Sequence, residues 1–183
     1  MAFDPADGDY LNLPLRALID DVAGKGSVPA AGSVIAILGS LAAGLAAKVA
    51  HRSTTQLPDA EKIAERADEL RMNFEPLITA DAIGYAAALA ARGDDRAAVM
   101  HSLSSEIALM AEAAAEVAEL ASVLLLDGNP NLRFDSAAAV RISVAVAEIG
   151  AELIGANVGE SELSGRARAA ASRARAAGTG ESA

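Results

Sequence analysis

The sequence predicts an all-α fold, a helical bundle of about five to six helices that oligomerises through apolar helices. Three observations carry that prediction. The chain is 52% hydrophobic but only 3% aromatic, so its core must be built from Ala, Leu, Val and Ile, and Ala is the strongest helix former. Apolar residues recur at alternating three- and four-residue spacing, the period of an amphipathic helix. No segment reads as a strand. At 183 residues one domain with a real core is expected, spanning residues 1–183 and ending in a basic helical or frayed tail over 160–183.

Leu11, Leu15, Leu18 and Ile19 share one face of a short first helix, with Arg16, Asp20 and Asp21 on its polar side and a stop at Gly24-Lys25-Gly26. A second helix is expected from about Ser33 to about His51, with Gly32, Ala36, Ser40 and Gly44 as a stripe of small side chains that lets another backbone come close, so this helix reads as central. Pro58 suits the first turn of a third helix that continues, with an irregularity near Pro76, to about Arg92. Gly93-Asp94-Asp95 marks a break. Beyond it Ile107, Met110, Ala114, Val117, Ala121 and Leu124 form the seam of a fourth helix, which stops at Gly128-Asn129-Pro130-Asn131. The fifth, from about Asp135 to about Asn157, is apolar on several sides and is expected to be buried all round, one side by a second subunit. After Gly159 the chain places Arg166, Arg168, Arg173 and Arg175 among Ala and Ser, which reads as a solvated last helix fraying into Gly178 to Ala183.

Composition also excludes classes of function. A formal net charge of -10 opposes binding to nucleic acid or anionic lipid, since neutralising phosphates needs a basic surface. The chain has no Cys and only His51 and His101, so neither disulfides nor a metal site are expected. The uncharged run from Val28 to Ala47 raises the question of a membrane span. A helix start at Ser33 leaves roughly 15 residues there, or ~22 Å, against a hydrocarbon core of ~30 Å, and no span is expected. Met1 to Tyr10 is acidic and lacks the basic start of a secretory leader; the expected location is cytoplasmic.

Three ordered stretches carry a resemblance. Pro29-Ala30-Ala31-Gly32-Ser33-Val34 is similar to a Pro-Gly-Gly-Gly-Ser-Val signature opening a small-residue helix; Asp81-Ala82-Ile83-Gly84-Tyr85 is similar to an Asp-x-x-Ala-Phe segment; and Gly128-Asn129-Pro130-Asn131 with Asp135 is similar to a Gly-Asn turn followed by Ser-Asp at a helix start. The last leads to Ala156-Asn157-Val158. Together they resemble the cyclodeaminase/cyclohydrolase family of tetrahydrofolate one-carbon enzymes. The resemblance implies an all-helical homodimer with its active site near the subunit interface, a folate-like small-molecule substrate and no cofactor beyond it. It implies one of two reactions: hydrolysis of 5,10-methenyltetrahydrofolate to 10-formyltetrahydrofolate, or expulsion of ammonia from 5-formiminotetrahydrofolate. With no formiminotransferase domain in the chain, the cyclohydrolase is the expected activity and the cyclodeaminase the alternative. Ala30 and Ala31 stand where the family has glycines, His51-Arg52-Ser53 where a Gly-Lys stretch is common, and Phe134 where Ser is usual. These departures keep two further alternatives open: an enzyme acting on a non-folate C-N bond, and a non-catalytic helical dimerisation or ligand-binding module.

Opening or closing a methenyl bridge needs a proton moved to and from nitrogen, work for a positioned acid/base group. Asp81 and Asp135 are the candidate catalytic carboxylates. Asp81, among Ala80, Ala82 and Ile83, has the apolar setting that raises a carboxyl pKa; it can equally cap a helix restart after Pro76. Asp135 can act as an N-cap alone. Gly32 and Ser33 at a helix start offer amides to a ligand, with capping as Ser33's other reading. Asn129 and Asn131 can bond a pterin edge or simply form a turn. Arg52 and Arg133 are candidates for the glutamate tail of a folate or are solvated charges. The enzyme reading requires that the Ser33, Asp81 and Asn129 regions meet around one pocket when the bundle assembles.

Overall fold

The computed structural model describes residues 3–179 and contains six α-helices: α1 (Leu15–Val22), α2 (Ala31–His51), α3 (Ala60–Ala90), α4 (Gly93–Asp127), α5 (Arg133–Val158) and α6 (Glu162–Thr179). Short 3-10 turns precede α1 at Tyr10–Asn12 and α5 at Pro130–Leu132, and no strand occurs among the described residues. From α2 onward successive helices run up and down. Gly32 lies by Asp81 and Gly39 by Phe74, so α2 and α3 are antiparallel; Gly150 lies by Ala111 and Ile107, so α4 and α5 are too. Sheathed by α2, α3, α5 and α6, helix α4 is the central element. The predicted seam of Ile107, Met110, Ala114, Val117, Ala121 and Leu124 is buried throughout.

Several sequence expectations change. Helix α2 begins at Ala31, not Ser33, because Ala30 takes the extended cap position and Pro29 lies outside the helix. Its 21 residues make it long and apolar enough to cross a membrane by length and composition, so the length argument fails; 56% of its most apolar window is instead packed inside the protein. The predicted small-residue stripe rotates off the buried face, since steps of four residues drift about 40° each on a helix of 100° per residue. Gly32 and Ala36 are buried, whereas Ser40 and Gly44 are half-exposed. The close approach occurs at Gly39, where a Cβ would overlap the Phe74 ring.

Helix α3 runs unbroken through Pro76, so Asp81 caps no restart. Helix α5 starts at Arg133 with Leu132 as its cap residue and no side-chain cap bond, so Asp135 is a first-turn residue and not an N-cap. Within this chain α5 is not buried all round: Val140, Val146 and Ile154 are buried, but Ile142, Ile149 and Leu153 are half-exposed. Gly159, with φ +65°, supplies the left-handed turn that ends it.

The Arg-rich segment is a packed helix and not a solvated one. Helix α6 buries Leu163, Ala167, Ala170, Ala171 and Ala174 against α4 and α5, and runs parallel to α4. Arg166 grips Glu112 at 2.9 and 3.0 Å, and Arg173, one heptad on, grips Glu119 at 3.0 and 2.9 Å. Arg168 and Arg175 pair with Glu160 and Glu148. The sequence showed the cations but not that the carboxylates on α4 and α5 repeat in step with them. The expected fraying beyond residue 179 lies outside the described residues.

Gly39→Ala should lower stability by about 1–3 kcal/mol through overpacking against Phe74, despite alanine's better helix propensity. Gly44→Ala, whose added Cβ meets only the Arg71 Cδ at 3.6 Å, should be neutral or stabilising by up to about 1 kcal/mol. Urea unfolding of both variants checks the contrast, and equal midpoints would refute the packing account.

Candidate active site

The first turn of a helix carries amides with no partner inside the helix. In α2 the cap residue, Ala30, makes no side-chain bond to them. A carboxylate from another helix stands in: Asp81, near the C-terminal end of α3, accepts a hydrogen bond from the Ser33 hydroxyl at 3.0 Å and interacts with the Ser33 backbone amide. Asp81 therefore serves the N-terminus of α2, where the helix dipole favours an anion. Ser33 is not a cap of its own helix but a fully buried donor to that carboxylate. Gly32 makes the contact possible, because a Cβ there would fall inside the Asp81 carboxylate.

Asp81 is 3% exposed. Burial raises its pKa above the ordinary carboxyl value, opposed by the hydrogen bonds from Ser33. Glu106 on α4 is raised as well, first by its own burial and then by the negative charge of Asp81. The first carboxylate to ionise thus helps the second hold its proton. Sequence reasoning missed Glu106, because only the packing of α3 against α4 brings it near Asp81, and nothing in its local sequence distinguishes it from the other glutamates of α4.

Beside Asp81 opens a cavity of about 160 Å³ lined by Ala30, Ala31, Gly32, Tyr85, Leu103, Ile107, Leu153 and Asn157. It lies where the start of α2, the end of α3, the start of α4 and the end of α5 converge. A larger cavity of about 650 Å³ lies along α3, α4 and α6, with Arg66, Arg166 and Arg173 at its rim. Each of those arginines already holds a glutamate, so that cavity presents no unpaired acid or base. The smaller one contains the buried carboxylate and is the candidate site. Among the described residues no group of three metal-ligating side chains occurs.

The structure brings Gly32, Ser33 and Asp81 together. It puts the other candidates at the opposite end of α2, about 22 Å away at 1.5 Å per residue from Ser33 to Lys48. There Asp135 pairs with Lys48 at 3.2 Å. The Asn129 amide donates to the Arg52 carbonyl at 2.9 Å, its backbone N–H donates to the Ser53 hydroxyl at 2.9 Å, and its side-chain oxygen accepts from the Asn131 amide. Asn129 thus ties the α4–α5 connection to the end of α2. Arg133 is exposed at the same end. Within one protomer the Asn129 region does not meet Ser33 and Asp81 around one pocket.

The signature of the family described as Formiminotransferase-cyclodeaminase matches residues 14–177. The chain belongs to that family. Formiminotransferase-cyclodeaminase sequences are therefore the frame for nearly the whole bundle, including the Gly32, Ser33, Asp81 and Asn129 regions. No curated protein sequence matches the chain. Among solved structures, its fold is similar to that of formiminotetrahydrofolate cyclodeaminase from Thermotoga maritima, with a TM-score of 0.78, 20% identity, and coverage of 93% of this chain and 98% of that one.

A carboxyl whose pKa is raised on folding adds stability at low pH that is lost as pH rises through the folded value, because the unfolded chain gives up the proton more readily. Asp81→Asn should therefore gain in stability on the parent as pH rises from about 4 to about 8. Urea titrations across that range measure the gap; a gap that shrinks as pH rises would contradict a carboxyl held above its ordinary pKa.

Proposed function

We propose that the Asp81 cavity carries out one-carbon chemistry on a tetrahydrofolate, with formiminotetrahydrofolate cyclodeaminase as the leading activity. The observation that carries this reading is a buried carboxylate, Asp81, held at a helix start and opening onto an apolar-walled cavity. A carboxyl whose pKa burial raises can both take up and return a proton in one catalytic cycle. In the cyclisation, the N10 nitrogen adds to the formimino carbon and loses its proton to ionised Asp81. The former imine nitrogen takes up that proton and one from solvent, and leaves as ammonia. The N5 lone pair then closes the methenyl amidinium, so one proton is consumed overall. Leu103, Ile107 and Leu153 wall the cavity, and an apolar wall protects the methenyl product from water.

The sequence pointed first to cyclohydrolase. The cyclodeaminase names of the family and of the structural relative favour the reverse order. Cyclohydrolase remains the second reading, supported by Asp81 alone, since one acid/base group can deliver water to the methenyl carbon and then protonate the departing nitrogen.

The cavity is smaller than the roughly 300–1,000 Å³ of complete ligand sites, so it suits the reacting end of the folate. We place the remainder in an interface between two copies. Helices α2 and α5 lie antiparallel and leave Val34, Leu38, Leu41, Leu45, Ile142 and Ile149 half-exposed or exposed, a face that a second copy would cover. Paired across a two-fold axis normal to α2, each Asp81 cavity would face the Asn129, Arg52 and Arg133 end of the other copy. A homodimer in the cytoplasm, with no cofactor beyond the folate, completes the proposal.

Two assays of opposite sign test it. With 5-formiminotetrahydrofolate the protein should raise the near-ultraviolet absorbance of the methenyl product and release ammonia. With 5,10-methenyltetrahydrofolate a cyclohydrolase would instead accelerate its loss. Asp81→Asn should cut turnover by about 10²-fold or more while the protein stays folded. Activity per folded molecule that survives this change would reduce Asp81 to a helix cap, and folded parent protein inert in both assays would end the folate reading.

A further inference from the structure

Among the described residues, helix α1 is the one α-helix with no buried residue. Leu15, Ile19 and Val22, spaced at four and three residues, are all exposed, with Leu15 at 69%. This is the apolar stripe of a helix that lies in a groove, and no groove of its own chain receives it: only Leu18 packs toward the core. The arm is nonetheless fixed at its base. Tyr10 is buried, its amide donates to the Thr79 hydroxyl at 3.0 Å, and that hydroxyl donates to Asp9 at 2.7 Å. The arm is also acidic on balance, with Asp20 and Asp21 on α1 and Asp4, Asp7 and Asp9 before it against Arg16 and Lys25.

The complementary surface is at the other end of the molecule. Phe134 is 88% exposed, and Arg133, Arg141 and Arg52 near it hold no carboxylate among the described residues. The arm of the same chain cannot reach this patch, because residues 23–30 join α1 to the far end of α2, about 22 Å from Lys48 and Asp135.

We infer that α1 is a docking arm whose receiving surface belongs to a second copy of this chain: Leu15 and Ile19 seat beside Phe134, and Asp20 and Asp21 face Arg133 and Arg141. The inference rests on the α2–α5 pairing proposed above, which turns the arm of one copy toward the Phe134 patch of the other. Symmetry makes the contact twice, once at each end. The opposite charges also fix the direction of pairing, since a parallel alignment would set arm against arm.

The absence of cysteine gives a clean test. Leu41 is the midpoint of α2 and 59% exposed, so Leu41→Cys should oxidise to a covalent dimer if two α2 helices cross about the axis. Ile19→Cys mixed with Phe134→Cys should yield a disulfide-linked dimer that neither variant gives alone. Leu15→Asp with Ile19→Asp should weaken self-association by about tenfold or more in sedimentation, with helical content retained. Dimers linked through position 41 but not between 19 and 134 would overturn the arm and leave the α2–α5 pairing standing. A parent chain that sediments as a monomer at all concentrations would overturn both, and an arm that instead anchors a different protein would show as an unchanged dimer after the double Asp substitution.

Discussion

The hydrogen bond from Ser33 to Asp81 is the contact on which the rest of the site depends. It joins the start of α2 to the end of α3, satisfies a helix terminus that its own cap residue leaves open, and buries a carboxylate that burial makes reluctant to ionise. One interaction thus closes the end of a helix pair and fixes a carboxylate at the wall of a cavity. The cost is an ionisable group in the core, offset by the hydrogen bonds from Ser33. Gly32 belongs to the same device, since the space a side chain would occupy holds the carboxylate.

This is why the sequence showed the fold far better than the site. The seam from Ile107 to Leu124 could be placed because helical period is local information, and every predicted position along it is buried. Asp81 and Ser33 were legible as candidates because polar residues stand out against alanine and isoleucine. Their relation was not: Asp81 was read as a catalytic carboxylate or a cap of its own helix, and it serves the start of another. Glu106 and the cavity wall formed by Leu153 and Asn157 depend on three helices converging, and no spacing along one chain encodes that.

The two ends of α2 illustrate the same limit. Asn129 and Asp135 were grouped with Asp81 by their place in an ordered set of motifs, yet within the protomer they belong to a separate polar cluster around Lys48 and Ser53. That cluster has a structural task of its own, locking the turn between α4 and α5 to the end of α2. Motif order carries information about descent, while distance along a helix axis decides which side chains can share a substrate.

The alanine-built interior has a consequence for tolerance to change. Where neighbouring helices meet through methyl groups, as Ala43, Ala46, Ala111, Ala114, Ala118 and Ala147 do in the core, little side-chain volume is available to remove, and truncation leaves only shallow voids. Enlargement is the hazard: an added ethyl or ring has no flexible neighbour to displace and must pry two backbones apart. Drift in such a lineage should run freely on the outer faces and stall along these lines of contact, with serine and glycine the admissible exchanges and leucine excluded.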